Sequence, residues 1–316
     1  MPKPTFPTTD LAFQRQFATD EACFEFVRSS RWPDGFRCPS CDHPGAYERA
    51  DRWGVECAGC GRIVSVTAGT VMHKTHVPIR SWLWAAWLMV TSKRGLSALE
   101  LQRRIGVAYK TAFTMLHRLR HAMVAPERTR LTGRVEVDET YVGGPVRGRG
   151  SGKFRGAQAI VVGAVEVRND APARIRLRSI EIANRATLHT FIRENVHEGA
   201  TVATDGNPAY LGLNGYQHLQ QVAGRDGLPE DEILIYFHTM IGNLKAWLLG
   251  THHGAVRAKH LQPYLNEFAY RFNRRRNLQA AFQTLLGLIP RVGPLSYEDL
   301  FGDEQPRRNP SARGAD

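Results

Sequence analysis

The sequence predicts a mixed α/β body preceded by a zinc ribbon and a helix-turn-helix. Three observations carry that expectation: two Cys-x-x-Cys pairs within the first 60 residues, a helical pattern from Pro78 to about Met123, and strand-like alternation after Pro126. With 316 residues and 42% hydrophobic content, the chain can bury a core divided among two or more domains. Its 42 Lys and Arg against 30 Asp and Glu give a formal charge of +12. That excess favours a polyanionic partner, nucleic acid ahead of a membrane surface. Met1 to Asp10 holds three prolines and no apolar run, so it carries no signal-peptide pattern. The longest apolar stretch, Trp82 to Val90, is too short to cross a bilayer and reads as a buried helix. The expected location is the cytoplasm, with no membrane partner.

Four units are expected in order. Residues 1–76 form an N-terminal helix and zinc ribbon, 77–125 a helix-turn-helix region, 126–300 the catalytic domain, and 301–316 a disordered tail of Pro, Arg, Ser and Gly without periodicity.

In the first unit, Cys38-Pro-Ser-Cys41 and Cys57-Ala-Gly-Cys60 are separated by fifteen residues. Two such knuckles deliver four thiolates to one tetrahedral Zn²⁺, and glycines at 59 and 61 suit the tight turns they need. All four positions are filled by protein, so this zinc is structural rather than catalytic. Cys23 stands apart in an apolar helical pattern and is a core residue.

In the second unit, Leu99, Leu101 and Ile105 give one apolar face, Gly106 permits a turn, and Ala112, Phe113, Leu116 and Leu119 give another. The second helix is expected to present Tyr109, Lys110, Thr111, Thr114, His117, Arg118 and Arg120 outward. Lys110, Thr111 and Arg118 are the candidate DNA contacts.

The third unit opens on VEVDETYVGG, where valines at 135 and 137 alternate with Glu136 and Asp138. Strand-like runs follow from Ala159 and from Arg174, joined by a turn at Asn169 to Pro172; then come a helical pattern over Ala186 to Val196 and a strand ending at Asp205. Asp138 within the first strand and Asp205 at the end of the fourth can converge at one edge of a mixed sheet. Carboxylates brought together repel unless a divalent cation neutralises both. In phosphoryl transfer that cation is Mg²⁺ or Mn²⁺, used in pairs. The Gly-rich basic stretch GPVRGRGSGKFRG, residues 144–156, fits no phosphate-loop pattern and is expected to be a mobile loop that touches DNA. Near the end, Lys259 to Arg276 reads as a long amphipathic helix that closes on RFNRRR.

The ordered motifs RWPDGFRCPSC, SVTAGTVMHKT, YKTAFTMLHRLRHAM, VDETYVGG, TDGNPAY, NLKAWLLGTHHG and KHLQPYLNEFAYRFNRR resemble those of bacterial insertion-sequence transposases of the DDE type. More narrowly, the chain is similar to the insertion-sequence family numbered fifteen-ninety-five, with its ISXO-like transposase domain and N-terminal zinc ribbon. The resemblance runs from Phe13 to Asn277. It implies a ribonuclease-H-like catalytic core, two catalytic Mg²⁺ or Mn²⁺ ions, and Asp138 and Asp205 as the first two acids of the triad. Many relatives place a Glu seven positions before the helix lysine that precedes Gly-Thr-x-His. Here that lysine is Lys245, and the position holds His238, 33 residues after Asp205.

Some members of the family carry Asn or His there. Imidazole brings no negative charge and suits Mn²⁺ better than Mg²⁺. Asn243 is the alternative third ligand, and Lys245 the candidate phosphate contact on the same helix.

The implied function is binding of the element's inverted-repeat ends, followed by metal-dependent strand cleavage and transfer into target DNA by a homo-oligomer. The alternative is a zinc-ribbon and helix-turn-helix DNA-binding protein whose catalytic domain is inactivated.

Overall fold

A computed structural model describes residues 6–49, 53–124, 128–143, 159–222, 229, 232–253, 256, 258–289 and 291–301. The basic stretch 144–156 and all but the first residue of the expected tail lie outside them.

The N-terminal part begins with α1 (Asp10–Gln16) and α2 (Asp20–Arg31), whose first turns are capped by the hydroxyls of Thr9 and Thr19, which accept from Ala12 and Ala22 amides at 3.1 and 3.2 Å. The small antiparallel sheet β1 (Ala46–Arg49), β2 (Gly54–Cys57) and β3 (Ile63–Ser65) follows. Next is α3 (Ile79–Thr91), apolar on nearly all sides and therefore central: it packs among α2, α5 (Tyr109–Ala122) and α9 (Leu278–Leu288). The Phe282 ring of α9 meets Trp87 at 5.1 Å and Phe13 at 6.0 Å, so a late helix completes the first core. Cys23 is fully buried there.

The helix-turn-helix is α4 (Ala98–Ile105) and α5, hinged at Gly106 with φ +70°. Ser97 accepts from the Glu100 amide at 3.1 Å to start α4. The outward face of α5 differs from expectation. Tyr109 and Lys110 are exposed and Thr111 is half-buried, but His117 and Arg120 are fully buried. A further helix, α8 (Ala258–Asn273), covers that side. Arg120 pairs with buried Glu267 at 2.8 Å and lies 4.2 Å over the Tyr264 ring. Arg118 is half-buried as well, and donates to the carbonyls of His73 at 3.0 Å and Leu295 at 3.2 Å. Leu99, expected in an apolar face, is 49% exposed.

The body is a five-stranded sheet in the order β6-β5-β4-β7-β8. Its strands are β4 (Arg134–Val142), β5 (Ala159–Arg168), β6 (Ala171–Ile180), β7 (Thr201–Thr204) and β8 (Gln217–Gln220). The first three are antiparallel neighbours, while β7 runs parallel to β4 and β8 parallel to β7. That mixed order, three antiparallel strands extended by two parallel ones, is the ribonuclease-H-like arrangement. The turn between β5 and β6 is tighter than expected, with Asn169 and Asp170 both left-handed at φ +50° and +49°, as a two-residue hairpin requires.

Strand alternation divides the core. Val135, Val137 and Val202 face α6 (Arg185–Asn195), whereas Val161, Val165 and Ala203 face α7 (Ile235–His252) and α8. The outer edge of β6 is closed by side chains of α8, since Asn273 accepts from the Ile175 amide at 2.7 Å and Gln262 from the Ser179 amide at 2.9 Å.

Candidate active site and zinc centre

In the ribbon each cysteine pair closes a tight turn in which a backbone amide points back at the first sulfur: Ser40 donates to Cys38 Sγ and Gly59 to Cys57 Sγ, both at 3.4 Å. The two knuckles face one another. Cys38 and Cys60 sulfurs are 3.6 Å apart, Cys41 and Cys57 sulfurs 3.5 Å, and all four lie within 4.8 Å of each other. A tetrahedron of Zn–S bonds has edges of about 3.8 Å, so the donor set fits zinc with little adjustment. The Ser40 amide, donating to its sulfur, lowers the Cys38 thiol from its usual range toward the thiolate that zinc requires, while the crowded neighbouring sulfurs push Cys41 the other way in the absence of a cation.

The sheet assembles the second site. Register pairs Glu136 of β4 with Ala203 of β7. Two residues further along each parallel strand stand Asp138 and, just past the end of β7, Asp205. Both therefore emerge side by side on the face that carries α7. Burial pushes the Asp138 carboxyl up to about 7, with Asp205 and Glu139 adding to the rise against the opposing Glu139 amide, which donates to Oδ1 at 2.8 Å. Among the described residues no Lys or Arg pairs with either aspartate. Two acids adjoining without a counter-charge are a donor set that suits a divalent cation.

Side chains not singled out from the sequence hold this geometry. Glu139 points to the opposite face, where its carboxylate accepts from Asn207 Nδ2 at 2.7 Å and from the Tyr210 hydroxyl. Asn207 in turn donates its amide to Asp205 Oδ1 at 3.0 Å. The strand bearing Asp138 is thus tied to the turn bearing Asp205, and burial beside Glu139 raises the Tyr210 phenol well above its usual range. Both motifs, DET and DGNPAY, contained these residues; period-2 alternation was the signal that Glu139 faces away from Asp138.

Helix α7 is registered on the same strand. Its N-cap, Leu234, has no capping side chain, and buried Glu136 supplies one from β4 by accepting the Phe237 amide at 2.9 Å. The Phe237 ring then lies on Gly163, the β5 partner of Asp138; a Cβ at 163 would stand 2.9 Å from that ring. His238, in the next position, is exposed in the first turns of α7.

At 100° per residue His238, Gly242 and Lys245 share one stripe, whereas Asn243 is about 140° away. Asn243 shares its flank with Trp247, four residues on, whose ring meets Phe268 of α8 at 5.7 Å. The α8 side overlies β6, so His238 and Lys245 lie on the flank of α7 away from α8. The two candidates for the third ligand therefore occupy different sides of the helix. Among the described residues, the four cysteines are the one set of three or more metal-type ligands gathered within 4.8 Å, and His238 joins no such set.

Residues 130–273 match the ISXO2-like transposase domain, and residues 18–62 match the transposase zinc-ribbon domain. The chain joins an ISXO2-like transposase domain to a transposase zinc ribbon. A curated relative from Halobacterium salinarum, described as an uncharacterized protein in transposable element ISH50, is 28% identical over 276 residues, covering 81% of this chain and 92% of that protein. Among solved structures, a chain of the simian T-cell lymphotropic virus intasome in complex with PP2A regulatory subunit B56 gamma is 13% identical, with 71% of this chain and 76% of that one covered at a TM-score of 0.26.

A chain of the Mos1 strand transfer complex is 12% identical, with 63% and 77% covered at a TM-score of 0.24. Scores that low add nothing to the transposase domain's own strand order. The ribbon match takes in all four cysteines and the domain match takes in Asp138, Asp205 and His238. No helix among the described residues is long and apolar enough to cross a membrane.

Proposed function

We propose that this transposase binds the inverted-repeat ends of its element and, as a homo-oligomer on double-stranded DNA, cleaves a strand and joins it to target DNA. The observation that supports the reading most is the parallel β4–β7 register, which sets Asp138 beside Asp205 on the face covered by α7. Asp138 and Asp205 would hold the divalent ions, with His238 as third ligand on the flank of α7 away from α8. Bound Mg²⁺ or Mn²⁺ supplies an acidified water or hydroxyl and neutralises the leaving oxygen.

Water attack on the phosphodiester frees a 3′ hydroxyl and leaves a 5′ phosphate. That hydroxyl then displaces an oxygen of a target phosphodiester, so the number of ester bonds is conserved. Lys245, two turns along the His238 stripe, would hold the backbone of the cleaved strand. Glu139, Asn207 and Tyr210 fix the spacing of the two acids, and Lys110 and Thr111 at the start of α5 would contact DNA. Arg118 holds two segments of its own chain together, so its contribution to binding would be structural.

One observation favours the second reading, a DNA-binding protein with an inactivated catalytic domain: His238 is not gathered with the aspartates. Incubation with labelled repeat ends and Mn²⁺ separates the two. Joined products that vanish in Asp138→Asn support the transposase; bound, intact duplex supports the alternative.

A further inference from the structure

The end of the sheet away from Asp138 carries a second basic feature. Where the β5–β6 turn meets the link between α8 and α9, a cavity of about 500 Å³ is lined by Arg168, Arg174, Arg274, Arg275 and Arg276, with no Asp or Glu in the lining. Buried Glu166 behind it pairs with Arg168 and Arg174. Among the described residues Arg274, Arg275 and Arg276 form no ion pair.

Internal contacts hold two of the guanidiniums in place. Arg274 stacks 4.0 Å over Tyr270, and Arg275 stacks 4.1 Å over Phe272 while donating to the carbonyls of Pro172 and Ala173. Neither contact removes positive charge. Nearby, Arg176 is pushed down to about 10 by burial, with Arg128 and Arg174 adding to the effect. Arg274 and Arg275, without acidic partners and fixed in orientation, are the donor arrangement that matches phosphate oxygens, and Arg276 adds a third uncompensated charge beside them.

Position separates this cavity from the active site. Gly163 is the partner of Asp138, and Arg168 lies five residues further along β5. At ~3.3 Å per residue and ~4.8 Å between strands, the cavity is roughly 20 Å from the aspartate pair. We infer that this arginine-lined groove is a second docking site for the phosphate backbone of double-stranded DNA, distinct from the site of cleavage. It rests on the transposase reading only for the choice of DNA as the polyanion.

The test uses the full chain, zinc included, and a random-sequence duplex, with affinity measured by fluorescence anisotropy across a range of salt. Each phosphate neutralised contributes about −0.9 to the slope of log K against log salt, so Arg274→Ala with Arg276→Ala is expected to make that slope shallower by about two and to weaken binding at least tenfold at 0.1 M salt. The corresponding Lys substitutions keep the wild-type slope. Should the double variant fail to fold, Arg276→Ala alone is expected to make the slope shallower by about one. A correctly folded Ala variant with wild-type slope and affinity overturns the groove. The outcome is independent of the catalytic reading, because binding is measured without cleavage and neither substitution touches Asp138 or Asp205.

Discussion

The cysteine ribbon and the aspartate pair of this molecule are built on opposite principles. The ribbon's four sulfurs come from a segment in which the outermost ligands are 22 residues apart, on two turns that each close on their own backbone amide. The aspartates are separated by 66 intervening residues and meet only because β4 and β7 pair in parallel with one particular register. A short loop closes at small entropic cost, so the ribbon needs its metal more than it needs the rest of the fold. The acids need the fold first, and a one-residue slip in β7 would turn Asp205 to the other face.

The largest expected effect separates the regions directly. Chelating zinc, or substituting Cys57→Ser, removes an interaction on the order of 10 kcal/mol. Hydrogen exchange is expected to show protection lost in β1 to β3 and retained in β4 and β5; simultaneous loss in both would mean that the ribbon does not fold on its own terms.

Next comes the chemistry. Asp138→Asn and Asp205→Asn are each expected to reduce cleavage of labelled repeat ends by about a thousandfold without lowering Tm, since both remove charge repulsion from a folded site. Substituting the helix positions should then rank the third ligand. His238→Ala is expected to cost about 10- to 100-fold in cleavage rate, and Asn243→Ala less than twofold, because they occupy opposite flanks of α7. A larger loss at Asn243 would mean that the wrong flank has been assigned.

Smaller effects report on support rather than ligands. Gly163→Ala forces a methyl group to within 3.0 Å of both Phe237 and Leu177, and should lower stability by about 1 to 3 kcal/mol in a denaturant titration. The last is a pH effect. The Asp138 carboxyl rises from 3.8 to about 7 on folding, so its proton stabilises the metal-free fold at low pH. That contribution is lost as pH climbs from about 4 to 7. Thermal scans of the metal-free body should show this loss in the wild type and its absence in Asp138→Asn.

Much of this contrast was legible in the residues. Cysteine spacing alone located the ribbon, and alternation along VEVDETYV placed Asp138 in a strand with one carboxylate neighbour on each face. What stayed hidden depended on distant packing. β8 reads QHLQ, a polar edge strand with no alternating apolar face to announce it. His117 and Arg120 looked like a basic surface because nothing within α5 tells that α8 will cover them with Glu267 and Tyr264. The docking of α9 onto α3 was invisible for the same reason. The third ligand was ambiguous because sequence spacing gives an angle around α7 but not which flank the sheet will meet.

The claim on which the rest depends is that Asp138 and Asp205 act as one ligand set. Calorimetric titration of the zinc-loaded chain with Mn²⁺ tests it most directly, comparing the wild type with Asp138→Asn, Asp205→Asn and the double variant. A shared site predicts that either substitution removes nearly all of the binding and that the second adds little. Losses that simply add, or binding that persists in the double variant, would contradict a shared site.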